Sequence, residues 1–259
     1  YSVTLQDALP ADFISHSNVY KSDKIILKWI EPKEFTMGQT RVAMPTHQVT
    51  LSKGYYIGIF EMTQAQWEHV MGATTFHFTN QAHAPAEKLS WEDIRGSSES
   101  HDWPQSKTIG ANSFMGRLTA RTKPSFTFDL PSEAQWEYAC RGATTNQWSF
   151  GNSEDSVGDY AWYGWNSKST HPVGEKKANP FGLFDMHGNV WEWCLDRYGS
   201  YASELQADPT GADSGWYRVW RGGCYGSEGY VLRSAHRSGG TPDSRAVHAG
   251  FRLIMTEGS

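Results

Sequence analysis

Aromatic side chains are the feature that most limits what this chain can fold into. Twelve Trp, 12 Tyr and 12 Phe make up 14% of its 259 residues, and 25 Gly and 11 Pro accompany them. Large rings favour broad core contacts, whereas Gly and Pro interrupt regular elements, so we expect short strands, many turns and extensive aromatic packing. No change of composition and no run of charge marks a linker. We therefore predict a single domain over residues 1–259, with residues 1–34 as an N-terminal lead-in.

The charge balance and the hydropathy pattern exclude several classes of protein. The formal net charge is -5, which provides no basic surface for a phosphate backbone. No apolar run reaches the roughly 18 residues needed to span a bilayer, and no signal-peptide pattern opens the chain. We therefore expect no nucleic acid partner, and membrane attachment only through a lipid anchor outside this chain.

The three cysteines leave the redox state open. Cys140, Cys194 and Cys224 are too few and too scattered for a disulfide framework or a zinc site, and their odd number leaves at least one thiol free. One bridge plus one thiol, and three thiols, are both compatible with the sequence. Export from the cell is therefore compatible with it as well.

Local signals predict small sheets and few helices. Strand-sized runs of aromatic and β-branched residues occupy 25–30, 35–38, 48–51 and 55–60. The spacing of a capping box predicts helix starts at Thr63, Ser90 and Ser132. The third of these helices should run for about ten residues from Glu133 and end before Gly142. Beyond Gly142 no helical period remains, which indicates short strands between long loops.

Six sequence blocks occur in the order found in one known family. They are 35–38 (FTMG), 61–67 (EMTQAQW), 130–142 (LPSEAQWEYACRG), 182–193 (GLFDMHGNVWEW), 218–223 (RVWRGG) and 250–253 (GFRL). Together they resemble the domain of the formylglycine-generating enzymes, or sulfatase-modifying factors. The resemblance implies an α+β, C-type lectin-like fold of the formylglycine-generating-enzyme type, irregular, with few helices and small antiparallel sheets.

The two catalytic cysteines of that family are missing. In its enzymes they lie in the stretch that corresponds to residues 222–237, and here the two positions hold Ser227 and Gly229. A hydroxyl and a hydrogen neither bind copper nor exchange disulfides as thiolates do, so we expect no copper. Cys224 is one thiol without its partner, and we expect it to be buried or a spectator. No histidine pair, nucleophile elbow or phosphate-binding loop indicates another active site.

The resemblance also implies a structural calcium site. In family members a side-chain oxygen, two backbone carbonyls and a final glutamate bind the ion, and these positions correspond to Asp185, Gly188, Val190 and Glu192. A hard cation does prefer several oxygen ligands in a tight loop. The alternative is that Asp185 and Glu192 only form hydrogen bonds within the loop.

The last forty residues contain an unusual restriction of residue types. Between framework positions such as Trp220, Phe251 and Leu253 lie seventeen small or aromatic residues, none of them Glu, Lys, Gln, Met or Trp. These positions are Cys224, Tyr225, Gly226, Ser227, Gly229, Tyr230, Val231, His236, Ser238, Gly239, Gly240, Thr241, Ser244, Ala246, Val247, His248 and Ala249. Each of these residue types is encoded by at least one codon that ends in a pyrimidine. Such codons can arise from an Asn-type codon when mutation is directed at its adenines. The pattern resembles the variable proteins of diversity-generating retroelements.

This pattern predicts a non-enzymatic surface binding protein. Residues from about 216 to 253 would form the variable region, with the seventeen side chains facing solvent and the framework residues buried. We expect a macromolecular ligand, with protein favoured, and by resemblance alone a place on the cell surface or outer membrane. The alternative is an oxidoreductase of the same fold that acts without paired cysteines, for example in siderophore maturation, with Glu228, Arg233 and His236 around a pocket. A surface loop with no selected partner is the third interpretation.

Overall fold

The computed structural model describes residues 2–6, 17–97, 103–122 and 126–257. Across these residues, small sheets and short helices alternate with long loops, which confirms the predicted α+β class. The prediction of a single domain stays a prediction.

A five-stranded sheet contains both the first and the last of the described strands. In spatial order it contains β1 (Ser2–Gln6), β2 (Lys24–Ile30), β5 (Tyr55–Gly58), β12 (Ile254–Glu257) and β6 (Phe126–Asp129). β1 runs parallel to β2, and the other neighbours are antiparallel. Ile254 pairs with Ile57 on one side and with Asp129 on the other, so the last strand is held inside the sheet.

A second sheet carries the C-terminal half of the chain. Its spatial order is β10 (Arg237–Gly240), β9 (Arg218–Arg221), β7 (Trp191–Arg197) and β11 (Ala249–Gly250). A third sheet joins β3 (Glu34–Gln39), β4 (Ala43–Thr50) and β8 (Gln206–Ala207). All four strand-sized runs predicted from the sequence lie at strands β2 to β5.

The three predicted capping boxes are confirmed. The helices are α1 (Val19–Ser22), α2 (Gln64–Met71), α3 (Trp91–Arg95), α4 (Phe114–Ala120), α5 (Glu133–Arg141) and α6 (Val157–Tyr160). The side chains of Thr63, Ser90 and Ser132 each accept a hydrogen bond from the backbone N–H three residues on, and the backbone N–H of each donates to the side chain of that same residue. α5 ends at Gly142 with a left-handed φ of 57°, which Gly adopts without the penalty of a Cβ.

The other helices gave weaker sequence signals. Ser113 is the N-cap of α4, but the residue three positions on is Gly116, which has no side chain to complete a capping box. α1 and α6 have four residues each, too few to show a helical period. None of the described helices has the length and apolar character needed to cross a bilayer.

Aromatic rings fill the core, as the composition predicts. Trp67 stacks on Phe114 with 5.1 Å between ring centroids, and both rings meet the edge of Phe251. Trp193 meets Trp220 in a T-shaped contact at 4.8 Å. Such geometries add a favourable quadrupole interaction to the burial of large apolar area.

Buried ion pairs connect the C-terminal segments to the rest of the core. Arg252 donates to both carboxylate oxygens of Glu192, each at 2.7 Å, and also donates to the carbonyls of Gly58 and Phe184. Neither side chain of the pair is accessible to solvent. A bidentate pair of this kind satisfies the polar atoms of both partners where water cannot.

A second buried network connects β9 to α5. Arg221 pairs with Glu137, whose carboxylate also accepts from Arg141 and from the backbone N–H of Gly38. Burial disfavours the carboxylate form, but Arg221 and Arg141 more than offset this effect and lower the pKa of Glu137. The network therefore stays charged inside the core.

We predict that Arg252→Met destabilises the protein by about 3 to 5 kcal/mol, because Glu192 would then be a buried and unpaired carboxylate. Chemical unfolding monitored by Trp fluorescence measures this change. Lys177→Met is the matched control, since it removes an exposed lysine that pairs with Asp159 and should leave the midpoint unchanged. Equal effects of the two substitutions would show that the buried pair does not anchor the C-terminal segment.

Candidate ligand-binding face

A glycine turn after β9 leads into the region of restricted residue types. Gly222 and Gly223 have φ values of 94° and 76°, in the left-handed region that favours glycine. A Cβ at Gly222 would lie 3.2 Å from the Trp136 ring, and one at Gly223 would collide with Leu232. The turn therefore holds the backbone against the core at the point where the region of restricted residue types begins.

Thirteen of the seventeen predicted variable residues are at least partly accessible. We call them the C-terminal face: Tyr225, Gly226, Ser227, Tyr230, Val231, His236, Ser238, Gly239, Thr241, Ser244, Ala246, Val247 and His248. Tyr230 has the most exposed large side chain among them, at 52%. The expectation of solvent-facing side chains agrees with the structure at these positions, and their role in ligand binding stays a prediction.

The expectation of exposure is wrong for the other four, which are Cys224, Gly229, Gly240 and Ala249. Cys224 packs in the main aromatic cluster, and Ala249 pairs with Trp191 in β11. The position of a Cβ on Gly229 is already occupied by the carboxylate of Glu154, and that on Gly240 by the ring of Trp220. Contacts from other parts of the fold bury these four, so they cannot reach a ligand in this structure.

The frame beneath the face is buried, as predicted for Trp220, Phe251 and Leu253. Arg221, which is also buried, connects this frame to the loop at residues 234–236. Its guanidinium donates to the carbonyls of Ser234, Ala235 and His236 at 2.8 to 2.9 Å. One buried side chain therefore fixes three consecutive backbone carbonyls.

None of the thirteen face residues carries a fixed charge, although the exposed Glu228, Asp243 and Arg245 lie among them in the sequence. Burial, with Arg221 and Arg233 nearby, lowers the pKa of His236 to about 4, and burial also lowers the pKa of His248. Both imidazoles are therefore neutral at pH 7. The face offers aromatic rings, hydroxyls and open glycine backbone to a partner.

Two further groups border the face, and sequence reasoning missed both. Trp165 is 79% exposed, and its indole donates to Glu228 at 3.0 Å, while the adjacent Gly164 N–H donates to Ser227. On another side Phe78 meets Tyr225 at a centroid distance of 5.4 Å. Both residues lie in loops that are distant in the sequence, so only the fold reveals the contacts.

The positions of the missing catalytic thiols support the predicted loss of that chemistry. Ser227 Oγ accepts a hydrogen bond from the Cys224 N–H at 3.0 Å, which makes it part of the turn. All three cysteines are free and buried, which resolves the alternative left open above. Burial raises the pKa of the Cys140 thiol to about 12, so it remains protonated and unreactive.

Hydrogen bonds already engage two of the residues predicted to hold calcium. Both oxygens of Glu192 are taken by Arg252, and one also accepts from the Trp136 indole at 2.6 Å. Asp185 Oδ2 accepts from the Gly174 N–H at 2.7 Å, whereas its buried Oδ1 has no hydrogen-bond partner among the described residues. The calcium site therefore stays a prediction.

Glu61 organises the same loop instead. It accepts from the Val190 N–H at 3.1 Å and from the Asn189 side chain at 2.7 Å. Burial, together with nearby Asp185 and Glu192, raises the pKa of Glu61 well above its usual value. Side-chain hydrogen bonds therefore hold this loop, and a calcium site with the Gly188 and Val190 carbonyls stays a prediction.

The polar groups of the oxidoreductase interpretation each lie beside an aromatic ring. Glu228 accepts from the exposed Trp165, whereas the Arg233 guanidinium lies over the Trp148 ring at 5.4 Å. His236 lies beside Trp191, with Arg233 near enough to help lower its pKa.

Comparison with known proteins agrees with both resemblances seen in the sequence. Residues 16–257 match the family described as the sulfatase-modifying factor enzyme 1-like domain. The formylglycine-generating enzyme of Mus musculus is 30% identical over 251 residues, which cover 80% of this chain and 67% of the mouse protein. Over two other relatives, the chain spans only 20% and 48% of the relative's length.

Solved structures show the same fold. Treponema denticola variable protein 1 has a TM-score of 0.75 and 28% identity, and the match covers 88% of this chain and 94% of that one. PvdO from Pseudomonas aeruginosa has a TM-score of 0.69 over 88% and 93% of the two chains, and at 21% identity it bears on the fold alone. With a family match that spans nearly the whole sequence, the chain belongs to the sulfatase-modifying factor enzyme 1-like domain family.

Proposed function

We propose that this protein is a non-enzymatic binding protein that recognises a macromolecular ligand, most readily another protein, through its C-terminal face. One observation carries the proposal. The residues of restricted type are accessible at thirteen positions, while the residues beneath them, such as Trp220, Arg221, Leu232 and Phe251, are buried in an aromatic and ionic frame.

The chemistry of the face suits a protein partner. Tyr225 and Tyr230 offer large contact area with few rotatable bonds, and the glycines and serines leave space for the partner's side chains. Because the frame holds the backbone, little conformational entropy would be lost on binding. Trp165 and Phe78, outside the variable set, would add constant aromatic contacts at the edge.

The likeness to Treponema denticola variable protein 1 supports variation as part of the function. At 28% identity over most of both chains, the two proteins share more than a general layout. The restricted residue types fit adenine-directed mutation of the encoding segment. We propose that such a mechanism diversifies the residues of the C-terminal face. We also propose that the protein acts at the cell surface, where variants of this face would bind different ligands.

The oxidoreductase interpretation finds less support. Relatives of this family are enzymes, but here Ser227 and Gly229 replace the two thiols, and Gly229 has no space for a larger side chain unless Glu154 moves. Glu228 is engaged by the exposed Trp165, and Arg233 lies over the ring of Trp148. Nothing in the described geometry replaces the missing redox groups.

We predict that copies of this gene from independent isolates differ mainly at the codons of the thirteen accessible positions of the C-terminal face. A second copy of the segment, differing from this one only where it has adenines, should lie beside a reverse transcriptase gene. Sequencing of the genomic neighbourhood tests both statements. Differences spread evenly over residues 17–257, with no such second copy, would contradict diversification.

We predict that the purified protein with copper and oxygen does not convert the cysteine of a sulfatase-derived peptide. The two positions that would need thiolates cannot provide them. Mass spectrometry of the peptide measures the conversion, and a formylglycine-generating enzyme assayed in parallel is the positive control. Oxidation of the peptide above the level of copper alone would instead favour the enzymatic alternative.

A further inference from the structure

Glu87 carries a buried carboxylate with one oxygen that is not used. Its Oε1 accepts from the backbone N–H of His77 at 2.6 Å and from that of Phe78 at 3.0 Å. Its Oε2 has no hydrogen-bond partner among the described residues, and the residue has no exposed surface. A buried carboxylate oxygen without a donor is costly, and a donor that reached it would remove that cost.

Contacts on two sides place Glu87 at the edge of the C-terminal face. Phe78, whose N–H donates to Glu87, meets the Tyr225 ring in a T-shaped contact at 5.4 Å. The next residue along the chain, Lys88, donates its backbone N–H to the Ala246 carbonyl at 3.2 Å. Tyr225 and Ala246 both belong to the face. Glu87 itself lies outside the variable region, so diversification of that region would leave it constant.

The surroundings of Glu87 do not compensate for its burial. Burial raises the pKa of Glu87, and the N–H groups of Phe78 and His77 offset this effect only in part, as do the nearby side chains of His77 and Lys88. Neither of those two side chains donates to Oε2. One further donor would therefore stabilise the carboxylate.

Tyr225 is the face residue that bears on access to this oxygen. Burial, followed by Cys224 and Glu87, raises the pKa of the Tyr225 hydroxyl, so the two groups lie within electrostatic range of each other. The Tyr225 ring is half-buried and packs against the main aromatic cluster. Because Oε2 is closed to solvent, a ligand can reach it only where a neighbouring side chain is small or moves. Ser, Gly and Ala all occur among the seventeen restricted positions, so diversification could place a small residue here.

The free oxygen favours a cationic donor. Hydrogen bonds between an ammonium or guanidinium and a carboxylate are roughly twice as strong as neutral ones. A basic side chain would satisfy Oε2 and neutralise the buried charge of Glu87 at the same time, whereas a neutral amide would only satisfy the oxygen. An acidic side chain would be repelled.

We propose that Glu87 is a constant, specificity-determining residue of the C-terminal face, whose Oε2 accepts from a lysine or arginine of the protein partner wherever residue 225 is small. In this chain Tyr225 covers it. The role of Glu87 rests on the binding function proposed above and on diversification of position 225. Variants of the one fold would then differ in whether the face offers an anionic anchor.

NMR titration of the Tyr225→Ser variant with the peptide acetyl-Gly-Arg-Gly-amide tests the proposal. The same peptide with citrulline in place of arginine is the neutral probe of matched shape. The backbone N–H signals of His77 and Phe78 report on Glu87, because both groups donate to it. We expect saturable shifts of both signals with the arginine peptide. The affinity should be weaker by about tenfold or more for the citrulline peptide and for the protein that retains Tyr225.

A double variant, Tyr225→Ser with Glu87→Gln, removes the charge but keeps an acceptor for His77 and Phe78, and it should lose the arginine peptide. Tyr230→Ser is the matched control, since it removes a 52% exposed tyrosine elsewhere on the face and should leave the affinity unchanged. Thermal unfolding verifies that each variant is folded. Tyr225→Ala replaces Tyr225→Ser if the latter impairs folding, and the citrulline comparison decides alone if Glu87→Gln does.

Three results would each overturn the role of Glu87. They are no binding of the arginine peptide when residue 225 is small, equal binding of the citrulline peptide, and unchanged binding after Glu87→Gln. None of them involves the natural ligand, so each would leave the binding function of the C-terminal face in place. That function is tested separately by sequencing of the gene copies.

Discussion

Buried arginine–glutamate pairs are the constraint on which the rest of this structure depends. Arg221 pairs with Glu137 of α5, and Arg252 pairs with Glu192 of β7, all four out of contact with solvent. Charges in such a place are tolerated only when both partners are present and their remaining hydrogen bonds are satisfied. The pairs therefore fix the chain at two points, just before and just after the C-terminal face.

Between those two points the backbone is held in place, whereas the outward-facing side chains can change identity. Arg221 holds the carbonyls of residues 234–236, and Trp220 and Phe251 fill the core below. Since the frame supplies the packing, the outward residues need contribute little to stability. A fold of this kind can change the chemistry of its surface while its backbone remains in place, which is what recognition of changing ligands requires.

The sequence predicted local features well because their causes are local. The capping boxes at Thr63, Ser90 and Ser132 and the glycine end of α5 depend on residues a few positions apart, and all are confirmed. The sequence did not indicate features that depend on contacts between residues far apart along the chain. Gly229 is buried because Glu154 reaches it, and Trp165 joins the face because its loop packs against residue 227. Glu192 pairs with Arg252, sixty positions away, and no local pattern in the sequence indicates that contact.

We infer that the frame, and not the displayed side chains, specifies the fold. Two matched libraries displayed on yeast test this inference, one randomised at Tyr230, Val231, Thr241 and Val247, the other at the buried positions Cys224, Gly229, Gly240 and Ala249. Resistance to protease measures the folded fraction of each. We expect most members of the first library to fold and few of the second. An equal loss of folding in the two libraries would show that the displayed side chains specify the fold as much as the frame does.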